Sequence, residues 1–299
     1  MDHFASLGLP AFDKISPLEA RRLYRETRGP LRPPAPDLFA VRDLEADGTA
    51  GAIPLRLYRP AEGVLPTLIY FHGGGWVVGD LDTHDVVCRQ IAAKSGTIVI
   101  AVDYRLAPEH RFPVAFEDAW SATTWIAAHA SGLGIDVAHI TIGGDSAGAG
   151  LAAAVTLMAR DAGAPRLAHQ VLVYPVMDLR GESESYTTFA EGYMLTRGAM
   201  KWYIAQYAPD AASWRDWRGS PLLAESVERL PPALILAAQC DPLVDEGRAY
   251  ARRLEQAGVA VDYVSFDGMI HGFLTMGGRI DAAQRAVATI AMSLRRALA

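Results

Sequence analysis

An α/β architecture, with one mostly parallel sheet of eight strands, is the fold class this sequence predicts. Three observations predict it. Short apolar runs recur at Thr67–Phe71, Thr97–Val102, Ile140–Ile142, Val171–Tyr174, Ala233–Ala237 and Val261–Phe266. Helical stretches separate most of them: Thr83–Lys94, Val114–His129, Ala147–Arg160 and Asp245–Ala257, with a last helix over Asp281–Ala297. Strands that alternate with helices need crossover connections, and crossovers make neighbouring strands parallel. Thirdly, Val41–Ala46 and Ile53–Tyr58 read as paired strands with Asp47-Gly48 near the turn, which adds two antiparallel strands at one edge.

The N-terminal segment reads differently. Ser16, Pro17 and Glu19 make a helix start of the capping-box type, with proline at the first helical position. Gly29-Pro30 ends that helix, and a proline-rich connector follows to Pro36. One further stretch breaks the alternation. Leu179–Ala224 carries Phe189, Tyr193, Met194, Trp202, Tyr203, Tyr207, Trp214 and Trp217 but no clear strand. It is too long for a plain connection and is expected to be a mainly helical insert over the carboxyl edge of the sheet. The chain thus divides into an N-terminal cap segment (1–40), core (41–178), inserted cap segment (179–224) and core again (225–299).

Composition narrows the functions available. Half of the 299 residues are hydrophobic (51%), enough for a large core, and the net charge is −6 with no basic run. A nucleic-acid partner needs a clustered positive face, so none is expected. Cys88 and Cys240 suggest core residues rather than a disulfide framework. Met1–Pro10 lacks the basic and apolar pattern of a leader, and the longest apolar-leaning run, Ala147–Ala159, is too short to span a bilayer. A soluble, cytoplasmic protein without stable membrane insertion is the expectation.

Chemistry enters at Gly144-Asp145-Ser146-Ala147-Gly148, a G-x-S-x-G pattern. A strand-like segment precedes it and a helix-forming segment follows. A strand that turns sharply into a helix strains its central residue and pushes that side chain out, beside a helix N-terminus that favours negative charge. Ser146 is therefore the candidate nucleophile. His72-Gly73-Gly74-Gly75-Trp76 follows directly on an apolar strand. Consecutive glycines let backbone approach a substrate closely and present N–H groups to a developing oxyanion. Gly73, Gly74 and Ala147 are the expected donors. His72 is expected to brace the loop rather than act as a base. No G-K-[ST] ending accompanies the glycines, which argues against a phosphate cradle.

A serine nucleophile needs a base, and the base needs an orienting carboxylate. Only His169 and His271 follow Ser146. His169 precedes a strand start, at the wrong sheet edge. His271 follows a strand through the turn-like Asp267-Gly268, which places it at the carboxyl edge with Ser146. Asp241, at the end of another strand, is the expected carboxylate, and it can also cap the following helix through Pro242. Asp245 is its chief competitor; Asp267 and Glu246 rank lower.

In this order these motifs resemble the hormone-sensitive-lipase-like (family IV) esterases of the α/β-hydrolase superfamily, known from bacteria. The matching residues also include Asp103-Tyr104-Arg105-Leu106-Ala107-Pro108-Glu109, Tyr174-Pro175, Asp241-Pro242-Leu243-Val244-Asp245 and His271-Gly272-Phe273. The resemblance implies an α/β-hydrolase fold with a helical cap, and Ser146, Asp241 and His271 as the triad. It implies cofactor-free hydrolysis of small esters with short to medium acyl chains, and a possible homodimer through the last strand. Amide or thioester hydrolysis on the same triad, or ligand binding without catalysis, are the competing readings. No metal is expected. Trp76, Tyr193 and Met194 are the candidate substrate-binding residues, and Asp103–Phe112 is expected to support the floor of the site.

Overall fold

The computed structural model describes residues 10–298. The leader reading of Met1–Pro10 therefore lies, except for Pro10, outside the described residues. Eight strands form one sheet: β1 (Ala40–Gly48), β2 (Gly51–Arg59), β3 (Leu65–Phe71), β4 (Ile98–Val102), β5 (Ile135–Asp145), β6 (Gln170–Val173), β7 (Ala233–Cys240) and β8 (Val261–Ile270). Their spatial order is β1-β2-β4-β3-β5-β6-β7-β8. β1 and β2 pair antiparallel, β2 pairs antiparallel with β4, and every other neighbour is parallel.

Among the described residues seven α-helices longer than four residues accompany the sheet: α1 (Pro17–Arg28), α2 (Leu81–Ser95), α3 (Val114–Ala128), α4 (Ala147–Ala162), α5 (Arg197–Tyr207), α6 (Val244–Gln256) and α7 (Asp281–Ala297). Side chains alternate across the strands, so each strand feeds two cores. Ile69 and Phe71 of β3 join Ile100, Val102 and Ile142 on the face shared with α3 and α4. Leu68 and Tyr70 join Val99 and Ala101 on the other face, with α2 and α7. Burial on both faces is why these strands are continuous apolar runs rather than alternating ones.

α1 starts where its sequence indicates. Ser16 Oγ accepts from Glu19 N (3.2 Å), with Pro17 at the first position. The reciprocal half of the box is missing, because the Glu19 carboxylate pairs with Arg22 one turn on. Between Leu179 and Ala224 the chain is helical in short pieces, α5 being the longest. This insert meets the N-terminal segment, where Phe12 packs edge-on against Tyr203 (6.4 Å). Arg21 of α1 reaches the opposite way, to the carbonyls of Val77 (2.8 Å) and Ala107 (2.9 Å) and to Glu109. No helix among the described residues is long and apolar enough to cross a membrane.

One element departs from the sequence reading. Asp267-Gly268 is not the turn that ends the last strand. It is a bulge inside β8: pairing runs Ala238 to Phe266 and resumes at Cys240 to Ile270. Gly268 takes the left-handed φ of 70° that such a bulge needs, and its N–H donates to Gln239 Oε1 (2.7 Å). The strand continues to Ile270 because this irregularity absorbs the extra residues. The register then places the residues after Cys240 and Ile270, namely Asp241 and His271, side by side.

Candidate active site

Ser146 stands between β5 and α4 with φ 56° and ψ −121°, a region sparsely populated by non-glycine residues. Hydrogen bonds on both sides hold it there. Its N–H donates to Val173 O (2.8 Å) and its carbonyl accepts from Val176 N (3.2 Å). The flanking glycines are required by contact: a Cβ on Gly144 would stand 2.3 Å from Phe71 O, and one on Gly148 would stand 2.0 Å from the same oxygen. The elbow thus presses against the end of β3 as well as closing on itself.

Ser146 Oγ lies 2.8 Å from His271 Nε2, and His271 Nδ1 lies 2.6 Å from Asp241 Oδ2. The Asp241 carboxylate is fully buried, and its other oxygen accepts from Leu243 N (2.9 Å). Asp241 therefore orients the imidazole and caps the turn into α6, the two roles that the sequence made compatible. Asp241 accepts a hydrogen bond from Nδ1–H, so Nε2 is left as an acceptor for the serine hydroxyl. Tyr174 packs against the imidazole (4.6 Å between centroids) and fixes its plane. The competitor Asp245 is committed elsewhere, to Ser185 N (2.9 Å). His169 is buried at the start of β6 with Nε2 on Ser293 Oγ (2.9 Å), far from Ser146 along the strands.

The glycine loop corrects one expected donor. Gly73 N–H is already taken: it donates to Asp145 Oδ1 at 3.0 Å. The same oxygen accepts from Tyr70 OH (2.8 Å), and His84 Nε2 lies 3.3 Å away. Gly74 and Gly75 follow with φ 129° and 58°, and no acceptor among the described residues takes either N–H. Gly75 also meets the insert: a Cβ there would lie 2.3 Å from the Tyr203 ring. The motif's three glycines do not reveal which N–H groups turn inward; that depends on Asp145, whose buried carboxylate claims the first. Burial would raise the Asp145 pKa, but His84, Tyr70 OH and the Gly73 N–H outweigh it and hold the carboxyl below its usual range.

His72 braces this loop as expected. Its Nδ1 lies 2.8 Å from Gly73 O, its ring stacks on Tyr104 (4.4 Å), and Tyr104 OH donates to His72 O (2.7 Å). Burial, followed by the neighbouring His84, depresses the His72 pKa to about 4, so the ring is a neutral strut. The 103–112 stretch also supports the floor, since Ala107 N donates to Trp76 O (2.8 Å) and Arg105 pairs with the buried Asp118 (2.6 Å).

Trp76 is a second correction. It is 2% exposed and lies flat on Tyr207 of α5, 4.3 Å between ring centroids and 7° between planes. Its indole is enclosed in the core that joins the glycine loop to the insert, so it anchors that contact rather than lining a pocket. Tyr193 and Met194 are half-buried in the insert, with Tyr193 edge-on to Phe189 (5.2 Å). Among the described residues, no group of three or more His, Cys, Asp or Glu is placed to hold a metal ion.

A nucleophile elbow at the end of β5, a histidine and carboxylate from the ends of β8 and β7, and a glycine loop after β3 define a serine hydrolase of α/β type. The comparisons agree. The family model described as alpha/beta hydrolase fold matches residues 68–275. Ethyl acetate hydrolase of Pseudomonas putida is 41% identical over 291 residues, covering 94% of this chain and 90% of that one. Carboxylic ester hydrolase LipN of Mycobacterium tuberculosis is 45% identical over 251 residues, 81% of this chain and 67% of that one. Among solved structures, the thermophilic carboxylesterase EstE1 from a metagenomic library superposes with a TM-score of 0.93 at 39% identity, covering 96% of this chain and 99% of that one. The chain belongs to the α/β-hydrolase family, in its hormone-sensitive-lipase-like branch. It is a carboxylic ester hydrolase.

Proposed function

We propose that the protein hydrolyses small carboxylic esters with short to medium acyl chains through an acyl-enzyme on Ser146. The observation that carries this reading is the continuous Asp241–His271–Ser146 relay, 2.6 and 2.8 Å long, at a strained elbow. His271 Nε2 takes the serine proton as Oγ attacks the ester carbonyl. The N–H groups of Gly74, Gly75 and Ala147, the last at the N-terminus of α4, receive the oxyanion; Gly75 replaces Gly73 in that role. His271 then protonates the leaving alcohol, and water repeats the sequence on the acyl-enzyme. No cofactor takes part in this scheme.

The N-terminal segment and the 179–224 insert form the cap in this reading, with Tyr193 and Met194 on its pocket side. β8 is an edge strand with an unpaired backbone side, which fits a homodimer formed strand to strand. The two free cysteines, Cys88 and Cys240, fit a reducing cytoplasm.

The test is labelling with a phosphonate p-nitrophenyl ester, read by intact mass, beside turnover of p-nitrophenyl esters of increasing chain length. One adduct is expected on the wild type and none on Ser146→Ala, whose kcat is expected to fall on the order of a millionfold. An adduct on Ser146→Ala, or none on the wild type, refutes the assignment. Parallel rates on matched ester, thioester and anilide substrates separate esterase from thioesterase and amidase action.

A further inference from the structure

Arg28, the last residue of α1, is the only arginine or lysine that is buried among the described residues, at 7% exposure. A guanidinium stays charged in any protein environment, and holding one out of water without a counter-charge is costly. Among the described residues no aspartate or glutamate forms an ion pair with Arg28. One of its N–H groups has a partner, Nη1, at 3.3 Å from Thr275 Oγ1. The Tyr24 ring covers one face, 4.9 Å from the guanidinium carbon. Nε is buried with no acceptor. Among the described residues Nη2 has no acceptor either, yet it is not among the enclosed orphan atoms, so it carries part of the residue's remaining exposure.

The free Nη2 is next to the reaction centre. It lies 3.4 Å from where a Cβ would stand on Gly272, the residue after His271. The Arg28 charge is felt by both Tyr174 and Tyr203. Tyr174 packs on the His271 imidazole, and Tyr203 packs on Gly75 of the oxyanion loop. Arg28 thus stands beside the residue that follows the base, with Tyr174 packed on the imidazole and Tyr203 on the glycine loop.

We propose that Arg28 receives a second, ionised carboxylate on the ester, so that the substrates include half-esters of dicarboxylic acids and other carboxylate-bearing esters. This rests on the esterase reading. A carboxylate accepts from Nη2–H, the accessible donor that no described residue matches, and supplies the counter-charge that the described residues do not. The structural alternative is that Arg28 only clamps α1 to the loop after His271, through Thr275 and Tyr24. A clamp affects charged and neutral esters alike, which separates the two ideas.

The experiment compares kcat/KM for matched pairs in the wild type, Arg28→Met and Arg28→Lys. One pair carries the charge on the acyl half (p-nitrophenyl hemiglutarate against p-nitrophenyl pentanoate). The other carries it on the alcohol half (3-butyryloxypropanoate against propyl butyrate). The charged-to-neutral ratio is expected to fall roughly 30-fold or more in Arg28→Met for at least one pair, with Arg28→Lys intermediate. Equal losses on both members of each pair, or an unchanged ratio in both pairs, overturn the proposal. Should Arg28→Met not fold, inhibition of the wild type on the neutral ester decides: glutarate is expected to compete at least ten times better than butyrate, and equal inhibition overturns it. A wild type that hydrolyses the neutral esters without favouring the charged ones sinks only the role of Arg28. A wild type inert toward every ester sinks the esterase reading itself.

Discussion

Asp145 offers the sharpest test of how the site is assembled, because it touches no substrate. Its carboxylate holds Gly73 N–H at 3.0 Å and Tyr70 OH at 2.8 Å, and it is 3% exposed. Asp145→Ala removes the one oxygen that accepts from both, in a place water does not reach. Each orphaned donor costs about 1–3 kcal/mol, so a stability loss of roughly 2–6 kcal/mol is expected. The catalytic cost follows from the next two residues. With Gly73 released, the N–H groups of Gly74 and Gly75 lose their alignment, and one misplaced oxyanion donor costs about a hundred- to a thousandfold in kcat. KM should change little, because the donors act on charge that appears only in the transition state. Asp145→Asn keeps one oxygen as acceptor for both donors and should retain kcat within about tenfold. Steady-state kinetics on p-nitrophenyl butyrate, with urea unfolding of each variant, reads all three quantities. A folded Asp145→Ala enzyme whose kcat stays within about threefold of wild type would falsify the idea that this carboxylate holds the oxyanion loop.

Two more predictions concern packing and pH. Trp76→Ala removes a fully enclosed ring stacked on Tyr207, and a loss of about 3–5 kcal/mol is expected in urea unfolding; a loss below about 1 kcal/mol with a changed chain-length preference would restore Trp76 to the pocket. His72 and His169 are both held by burial at about 4 in the folded protein, below the ordinary 6.5. The unfolded chain therefore takes up protons that the folded chain refuses, and stability is lost as pH falls from about 6.5 towards 4. At pH 5 each histidine should remove about 2 kcal/mol. Urea midpoints at pH 7.5 and 5.0 check this, and His169→Gln should recover part of the difference; equal stability at the two pH values contradicts it.

Much of the fold was legible because it depends on local patterns. Strands buried on both faces have to be apolar runs, and their crossovers have to be helices, so all eight strands and the principal helices could be placed before any coordinates. The β8 bulge was not legible, since Asp267-Gly268 has the composition of a turn and only pairing to β7 shows the strand resuming. Ser146, Asp241 and His271 were legible because each sits at a strand end that faces the same edge. The oxyanion donors were only partly so, and Trp76 was misplaced, for one reason: both depend on partners distant in the chain. Gly73 is taken by Asp145, 72 residues on, and Trp76 is covered by Tyr207.

The sequence by itself determined that Ser146 at a strand-to-helix elbow, His271, Asp241 and a glycine loop would gather at one edge of the sheet. Spacing and periodicity are properties of the chain and survive without coordinates. Only the tertiary structure decided which backbone N–H groups are free, what each buried ring covers, and that Arg28 is enclosed without a carboxylate among the described residues. Those are facts about which groups have lost their water and which have found partners, and contact between distant segments settles both.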